Sequence, residues 1–267
     1  DDDIYILNNR LVQAGVNPVS LGSTLCDTTG NLWHPLTVIS HQFGFQFFGL
    51  EPKGHHLINI LIFLSTIGIL FLWLKPLAKS KITLIVVLAI WAFHPHRVEV
   101  VAWLSARKDL LVTIFVILIL VIQQWQTRYK SLKITMLCAA ILCAYTSKPI
   151  AIIIPGLLFI AQNIRDSRPG IHWQALKNPI IILTVIPSVT LMAVTMQVQT
   201  TGGHSMAFEA GGWDRSLLLP PLFIVEATLS TIWPWPLELM RPFPSLNGYL
   251  PSIIASSVIG IVSYLAW

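Results

Sequence analysis

The sequence predicts an all-α polytopic membrane protein, a bundle of about seven to eight spanning helices with helices in its outer loops. Three observations predict it. Of 267 residues, 54% are hydrophobic and only 11% are charged, where a soluble domain carries about a quarter charged. Apolar runs of near-spanning length recur along the whole chain. The short loops between them alternate between strongly basic and mixed polar composition, as the two sides of a membrane do. This is too hydrophobic for a peripheral protein held by one amphipathic helix. The net charge of +5 is spread without a basic run, so no nucleic-acid partner is expected.

Taken in order, residues 1–54 are polar and aromatic, with helix starts and a Pro-Leu-Thr turn, and read as a first outer loop. Residues 55–74 (HHLINILIFLSTIGILFLWL) form the first clear span, 82–93 the second and 109–126 the third. Residues 132–146 and 149–162 are a close pair of short spans, 179–197 is the next, and 251–267 the last. Residues 217–236 are apolar but hold Pro220, Pro221, Pro234 and Pro236. They read as a broken span or a re-entrant segment, inside a proline-rich outer region over 199–250. The whole of 1–267 reads as a single membrane domain. Its two ends, DDDIYI and SYLAW, suggest a fragment that lacks at least one N-terminal spanning helix.

Orientation follows from the loops. Residues 75–81, 127–133 and 163–178 each hold three Lys or Arg, and together one acid, Asp166. The positive-inside rule makes them cytoplasmic. Residues 1–54, 94–108, the 147–148 turn and 199–216 then face the lumen or periplasm. Cys26, Cys138 and Cys143 form no CxxC pair, which suggests neither a zinc site nor a disulfide framework.

The outer side holds an unusual cluster in WAFHPHRVEVVAWLSARKDLL, 91–111. From His94 to Asp109 there are seven ionisable side chains: His94, His96, Arg97, Glu99, Arg107, Lys108 and Asp109. Pro95 should break the incoming helix. From Val98 the sequence reads as a new helix, with Glu99, Trp103 and Arg107 on one face. Asp109 would then complement the N-terminal dipole of the next span. An ordinary capped surface loop accounts for such a segment. Several charges beside the hydrocarbon more often line a cavity or a path. Lys148, in AYTSKPIAII, sits where no real loop fits. It reads either as a snorkelling lysine or as a point charge for an anion such as phosphate. Asp1, Asp2 and Asp3 form an acidic triplet on the same side. No HExxH occurs, which argues against zinc hydrolysis.

The ordered stretches LWHPLTVISHQFGFQFFGLEPKGHHLINIL, AFHPHRVEVVAWLSARKDLL and TSKPIAIIIPGLLF resemble the transmembrane and tetratricopeptide-repeat proteins. WPWPLELMRPFP and DDDIYILNN resemble the proline-rich stretch and the first-loop acidic motif of the same family. The likeness covers nearly the whole chain. It implies a GT-C type glycosyltransferase of the endoplasmic reticulum or the bacterial inner membrane, with an active site facing the lumen or periplasm. The implied donor is a polyprenyl-phosphate sugar; animal members are associated with O-mannosylation. The implied acceptor is a hydroxyl of a protein or glycan. Two positions depart from the family pattern. Gly44 stands where Asp or Asn is often found, and Gln162 where Asp is usual.

By resemblance, Asp1 and Asp2 match the paired acids of the first outer loop, one of them a general base, with Asp3 beside them. Glu99, Arg107 and Asp109 match the second-loop motif that His94 opens. Lys148 matches the lysine near the carrier phosphate. His34, His56 and Asn59 match motif positions without an assigned role. The chemistry agrees with these types. A sugar phosphate has a good leaving group, so a carboxylate must take the acceptor proton. Cations must stabilise the departing phosphate. Arg107→Ala is accordingly expected to abolish transfer with insertion intact. No cofactor is required; a divalent ion on the three acids is conceivable chemistry but is not the expectation. A lipid-linked sugar transporter or flippase would use the same cations without a base. A non-catalytic membrane scaffold would need none of them.

Overall fold

The computed structural model describes residues 2–28, 32–166 and 172–201, with positions 228 and 231. The chain divides into two units, 1–167 with 172–201 and 168–171 with 202–267. The first unit holds all but two of the described residues. Asp1, the expected spans at 217–236 and 251–267, and almost all of the proline-rich region lie outside the described residues.

All regular structure among the described residues is helical. Residues Asp3–Leu7 form one wide π-helical turn. Three short helices follow: α1 (Arg10–Gln13), α2 (Pro18–Leu25) and α3 (Pro35–Phe48). Local chemistry sets their starts. The Asn9 side chain accepts from the amides of Leu11 and Val12. Asn17 and Ser20 form a reciprocal capping box, which satisfies two orphan helix donors at once. Pro18, Pro35 and Pro52 each stand at the first helical position, where a missing N–H costs nothing. Gly49, at φ 56°, ends α3 in the left-handed region that a side chain disfavours.

The bundle proper is α4 (Pro52–Leu74), α5 (Lys81–Ala92), α6 (His96–Ala102), α7 (Arg107–Gln124), α8 (Lys130–Ser147), α9 (Ile154–Asp166) and α10 (Pro179–Thr201). α7 is its centre, packed chiefly on α4 and α8. Ile119, Ile122, Leu137, Ala144, Ile154 and Leu158 are buried in one cluster with it. In lipid such packing stabilises by close fit rather than by removing surface from water. Polar ties therefore matter more than in a soluble core. The Tyr145 hydroxyl bonds the Thr184 carbonyl at 2.9 Å and the Ser188 hydroxyl at 2.6 Å, tying α8 to α10.

Two expectations are corrected. Among the described residues, only α4 and Pro179–Val198 of α10 are long and apolar enough to cross a membrane. A third crossing exists if α5 and α6, bent by 60° at their break, span together. That is fewer than the seven to eight expected. The apolar runs do fold as helices, but α7 opens on three charges, α8 carries Lys130 and Lys133, and α9 has only 13 residues. The two spans proposed beyond residue 201 lie outside the description. The second correction concerns the cluster. The expected continuous helix from Val98 ends at Ala102; Trp103 is extended and Leu104–Ala106 form a 3-10 turn. Glu99 and Arg107 therefore do not share a helical face.

The bundle has two chemically different ends. Gln123, Gln124, Gln162, Arg165 and Asn178 gather at one, around a cavity of about 230 Å³. Lys133 donates there to the carbonyls of Gln123 and Trp125. Residues 2–28, 32–59, 94–109 and 147–148 meet at the other end, about 27 Å away along the 18 residues of α7.

Candidate functional site

The site starts at the first turn of α7, where Arg107, Lys108 and Asp109 point in different directions. Arg107 points inward and is fully buried. Its Nε donates to Asn59 Oδ1 at 2.7 Å, Nη1 to the Ser40 carbonyl and Nη2 to the His55 carbonyl, both at 3.0 Å. One guanidinium thus ties α7 to α3 and α4. A planar fork of donors suits this, and the bonds compensate its burial. The sequence places Arg107 on a carrier phosphate; the structure uses three of its donors internally and leaves its side chain no solvent-facing surface.

Lys108 and Asp109 point into a cavity of about 430 Å³, which Glu99, Arg97, Trp103 and Lys148 also line. Lys148 Nζ lies 2.5 Å from Asp109 Oδ1, each side chain about a quarter to a third exposed. Lys148 is placed by the end of α8: its backbone is extended, and Pro149 follows it. The Thr37 hydroxyl donates to the neighbouring Ser147 carbonyl at 2.7 Å, which pins that corner to α3. Lys108 Nζ lies 4.3 Å from the Tyr5 ring centroid, in cation–π geometry.

The first outer loop reaches the same place. Asp2 Oδ1 accepts from the Ser105 amide at 2.8 Å, and Ser105 lines the cavity. Residues 103 positions apart thus meet, with Lys108 near enough for Asp2 to act on it electrostatically. Asp3 opens the π-helical turn and is exposed.

Behind the cavity lies a buried row of histidines. His34 Nδ1 is 2.8 Å from the Leu32 carbonyl, and its ring meets Tyr5 edge-on at 5.3 Å. Burial pushes His34 down to about 4, against a smaller opposing effect of that backbone contact. His41 is also held well below its ordinary value, by burial first and by Arg107 next. Both rings are therefore neutral near pH 7. Gly44 belongs to this row: a Cβ there would come within 2.9 Å of His55 Nδ1. Gln162, the other departure from the family pattern, lies at the opposite end and accepts from Asn178 at 2.6 Å.

Of the sequence-predicted residues, then, Glu99, Asp109 and Lys148 line one cavity, with Asp2 attached to its edge. His94 and His56 line a separate apolar groove. His34 and Arg107 are buried, and Asp1 lies outside the described residues. Sequence reasoning gave no role to Lys108, Ser105 or Tyr5. Lys108 carried a signal, its place between Arg107 and Asp109; Ser105 acts only through its backbone and carried none.

These features define a helical membrane protein with a cation-and-carboxylate cavity at one end of its bundle. The comparisons narrow the class. The chain is 32% identical over 90 residues to Protein O-mannosyl-transferase Tmtc1 of Drosophila melanogaster, 33% of this chain and 10% of that protein. It is 29% identical over 83 residues to Protein O-mannosyl-transferase TMTC3 of Homo sapiens, 31% of this chain and 9% of that protein. The matched segments thus cover about a tenth of either relative. These matches support a relationship to that group over a third of the chain. No family model and no solved structure matches it.

Proposed function

We propose that this chain is the membrane part of a GT-C type glycosyltransferase. It moves a sugar, mannose in our reading, from a polyprenyl-phosphate carrier to a hydroxyl of a protein or glycan. The observation that carries the reading is the meeting of three distant segments at one cavity: Asp2, the Glu99–Asp109 region and Lys148. The names of the two relatives agree with glycosyl transfer. The long apolar helices agree with a place in the bilayer. The cavity end is taken as the luminal or periplasmic side, because the basic loops gather at the other.

The chemistry follows from the groups present. The acceptor oxygen attacks the anomeric carbon, and the bond from that carbon to the phosphate oxygen breaks. The carrier leaves as polyprenyl phosphate. Its growing charge is met by Lys148 and Lys108, point charges at the cavity. The acceptor proton passes to a carboxylate. Asp2 is the assigned base. The Ser105 amide fixes its orientation through one oxygen, and the other oxygen is available to the acceptor. Asp109 holds Lys148 in place. One base with no second nucleophile fits a single displacement that inverts the anomeric centre. The scheme needs no metal ion.

The test is sugar transfer from a radiolabelled polyprenyl-phosphate mannose in liposomes by the full-length protein and its Asp2→Asn variant. The amide keeps an acceptor for the Ser105 amide and loses the base. Transfer should fall at least on the order of a hundredfold with melting temperature unchanged. Equal transfer by the two removes Asp2 as base. Absence of transfer by wild type with every donor moves the reading to a flippase or a scaffold.

A further inference from the structure

Beside the cavity runs a second, apolar space of about 480 Å³ between α4 and the α5–α6 bend. Ile60, Phe63, Phe93, Val98, Val101 and Ala102 line it. Phe93 and Val98 stand 86% and 68% exposed at its rim, so the groove opens outward. α6 is the wall between the two spaces: Val98, Val101 and Ala102 face the groove, and Glu99, Val100 and Trp103 face the cavity. Among the described residues, Arg97 alone lines both.

Arg97 is built differently from Arg107. Its guanidinium carbon lies 4.7 Å from the Trp91 ring centroid. Trp91 in turn stacks on Phe63 at 5.8 Å and 15°. A guanidinium laid over a ring keeps its N–H edge for acceptors. Arg97 Nε is buried without a hydrogen-bond partner among the described residues, and among them Arg97 forms no ion pair. A buried donor left unmade is costly unless a ligand completes it.

We infer that Arg97 holds the phosphate of a long-chain polyprenyl phosphate whose hydrocarbon lies in the α4/α5–α6 groove and whose headgroup enters the cavity. Charge complementarity supports the anion, and an outward-opening apolar groove beside a polar cavity, with Arg97 lining both, supports the lipid. The inference rests on the glycosyl-transfer reading for the identity of the lipid. It gives Arg97 the phosphate contact that Arg107, consumed by Asn59, Ser40 and His55, does not make. It also gives the 60° break between α5 and α6 a purpose: a straight helix would have no open end over which a headgroup could pass from groove to cavity.

The experiment uses the full-length protein in phosphatidylcholine nanodiscs with two diazirine probes, a long-chain polyprenyl phosphate and the corresponding uncharged polyprenol. In wild type both should label Phe63, Val98 or Val101. Arg97→Ala should lower labelling by the phosphate probe on the order of tenfold and leave polyprenol labelling unchanged, which also shows that the groove is folded. Arg97→Lys should restore part of the loss. Excess inorganic phosphate should fail to compete, since the chain supplies much of the affinity. Equal labelling of wild type and Arg97→Ala by the phosphate probe overturns the inference, as do labels outside the groove or full competition by inorganic phosphate. Arg97-dependent labelling without sugar transfer by wild type keeps this inference and removes the glycosyl-transfer reading. Transfer by Arg97→Ala with an unchanged KM for donor does the reverse.

Discussion

Arg107 and Lys148 are cations at the same end of one bundle, Arg107 from a charged stretch of sequence and Lys148 from an apolar one. Arg107 is wholly enclosed, with three donors spent on α3 and α4. Lys148 faces a cavity and pairs with Asp109, two residues along α7 from Arg107. On a helix two residues are about 200° apart, so neighbours in the sequence serve opposite faces. The inner face builds the structure, and the outer face presents charge to whatever enters. A cation's chemistry is thus decided by its direction, and a count of charges in a motif does not reveal it.

Substitutions on the two faces should differ most in their effect on folding. Arg107→Ala strips partners from Asn59, Ser40 and His55 at once. With buried neutral acceptors left unmade at about 1–3 kcal/mol each, it should cost roughly 3 kcal/mol or more, read as loss of monodisperse protein on size exclusion and a large fall in melting temperature. A variant that stays fully folded and merely stops transferring sugar would return Arg107 to the cavity side of the comparison.

Acid should act on the inner face next. His34 is held at about 4 by burial, against about 6.5 when unfolded. Between those values the unfolded chain binds more protons than the folded one. Stability is therefore full above about pH 6.5 and declines as pH falls towards 4, by about 3 kcal/mol for this residue. Buried His41 adds loss of the same sign. Unfolding followed at pH 7 and pH 4.5 should show the decline, and His34→Gln should flatten its share. A pH-independent midpoint would mean that the row is open to water.

Gly44→Ala tests how tightly the inner face is packed. The new methyl meets His55 Nδ1 at 2.9 Å, so the ring must shift, at about 1–3 kcal/mol. A melting temperature equal to wild type would show slack around His55. Lys148→Met should matter least to folding, below about 1 kcal/mol, because its ion pair is partly exposed. Yet it should lower sugar transfer on the order of a hundredfold. Large effects on folding from Lys148→Met, or none on transfer, would erase the distinction between the faces.

Much of the bundle was legible in the sequence. The run at 55–74 folds within α4, 109–126 largely within α7, 132–146 within α8 and 179–197 within α10. Hydrophobic runs announce helices because every backbone polar group must be satisfied inside the segment. The break after His94 was legible too, since Pro95 restricts its predecessor. The second break, at Trp103, was not. VEVVAWLSARKDLL holds neither Gly nor Pro, and nothing local marks the stop at Trp103. The extended Trp103 and the turn at 104–106 are fixed by tertiary contacts, among them the Asp2 carboxylate on the Ser105 amide.

The sequence alone therefore determined the helical class, the apolar runs, the clustering of charge between 94 and 109 and the two chemically distinct ends. All of these follow from local composition and from the solvent that each stretch must meet. Only the tertiary structure decided that Arg107 turns inward, that Asp2 reaches Ser105, that Lys148 pairs with Asp109 and that Arg97 stands between groove and cavity. Each of these joins or separates side chains by a direction in space. Direction is set by where helices end and how they pack, which no single stretch of the chain encodes by itself.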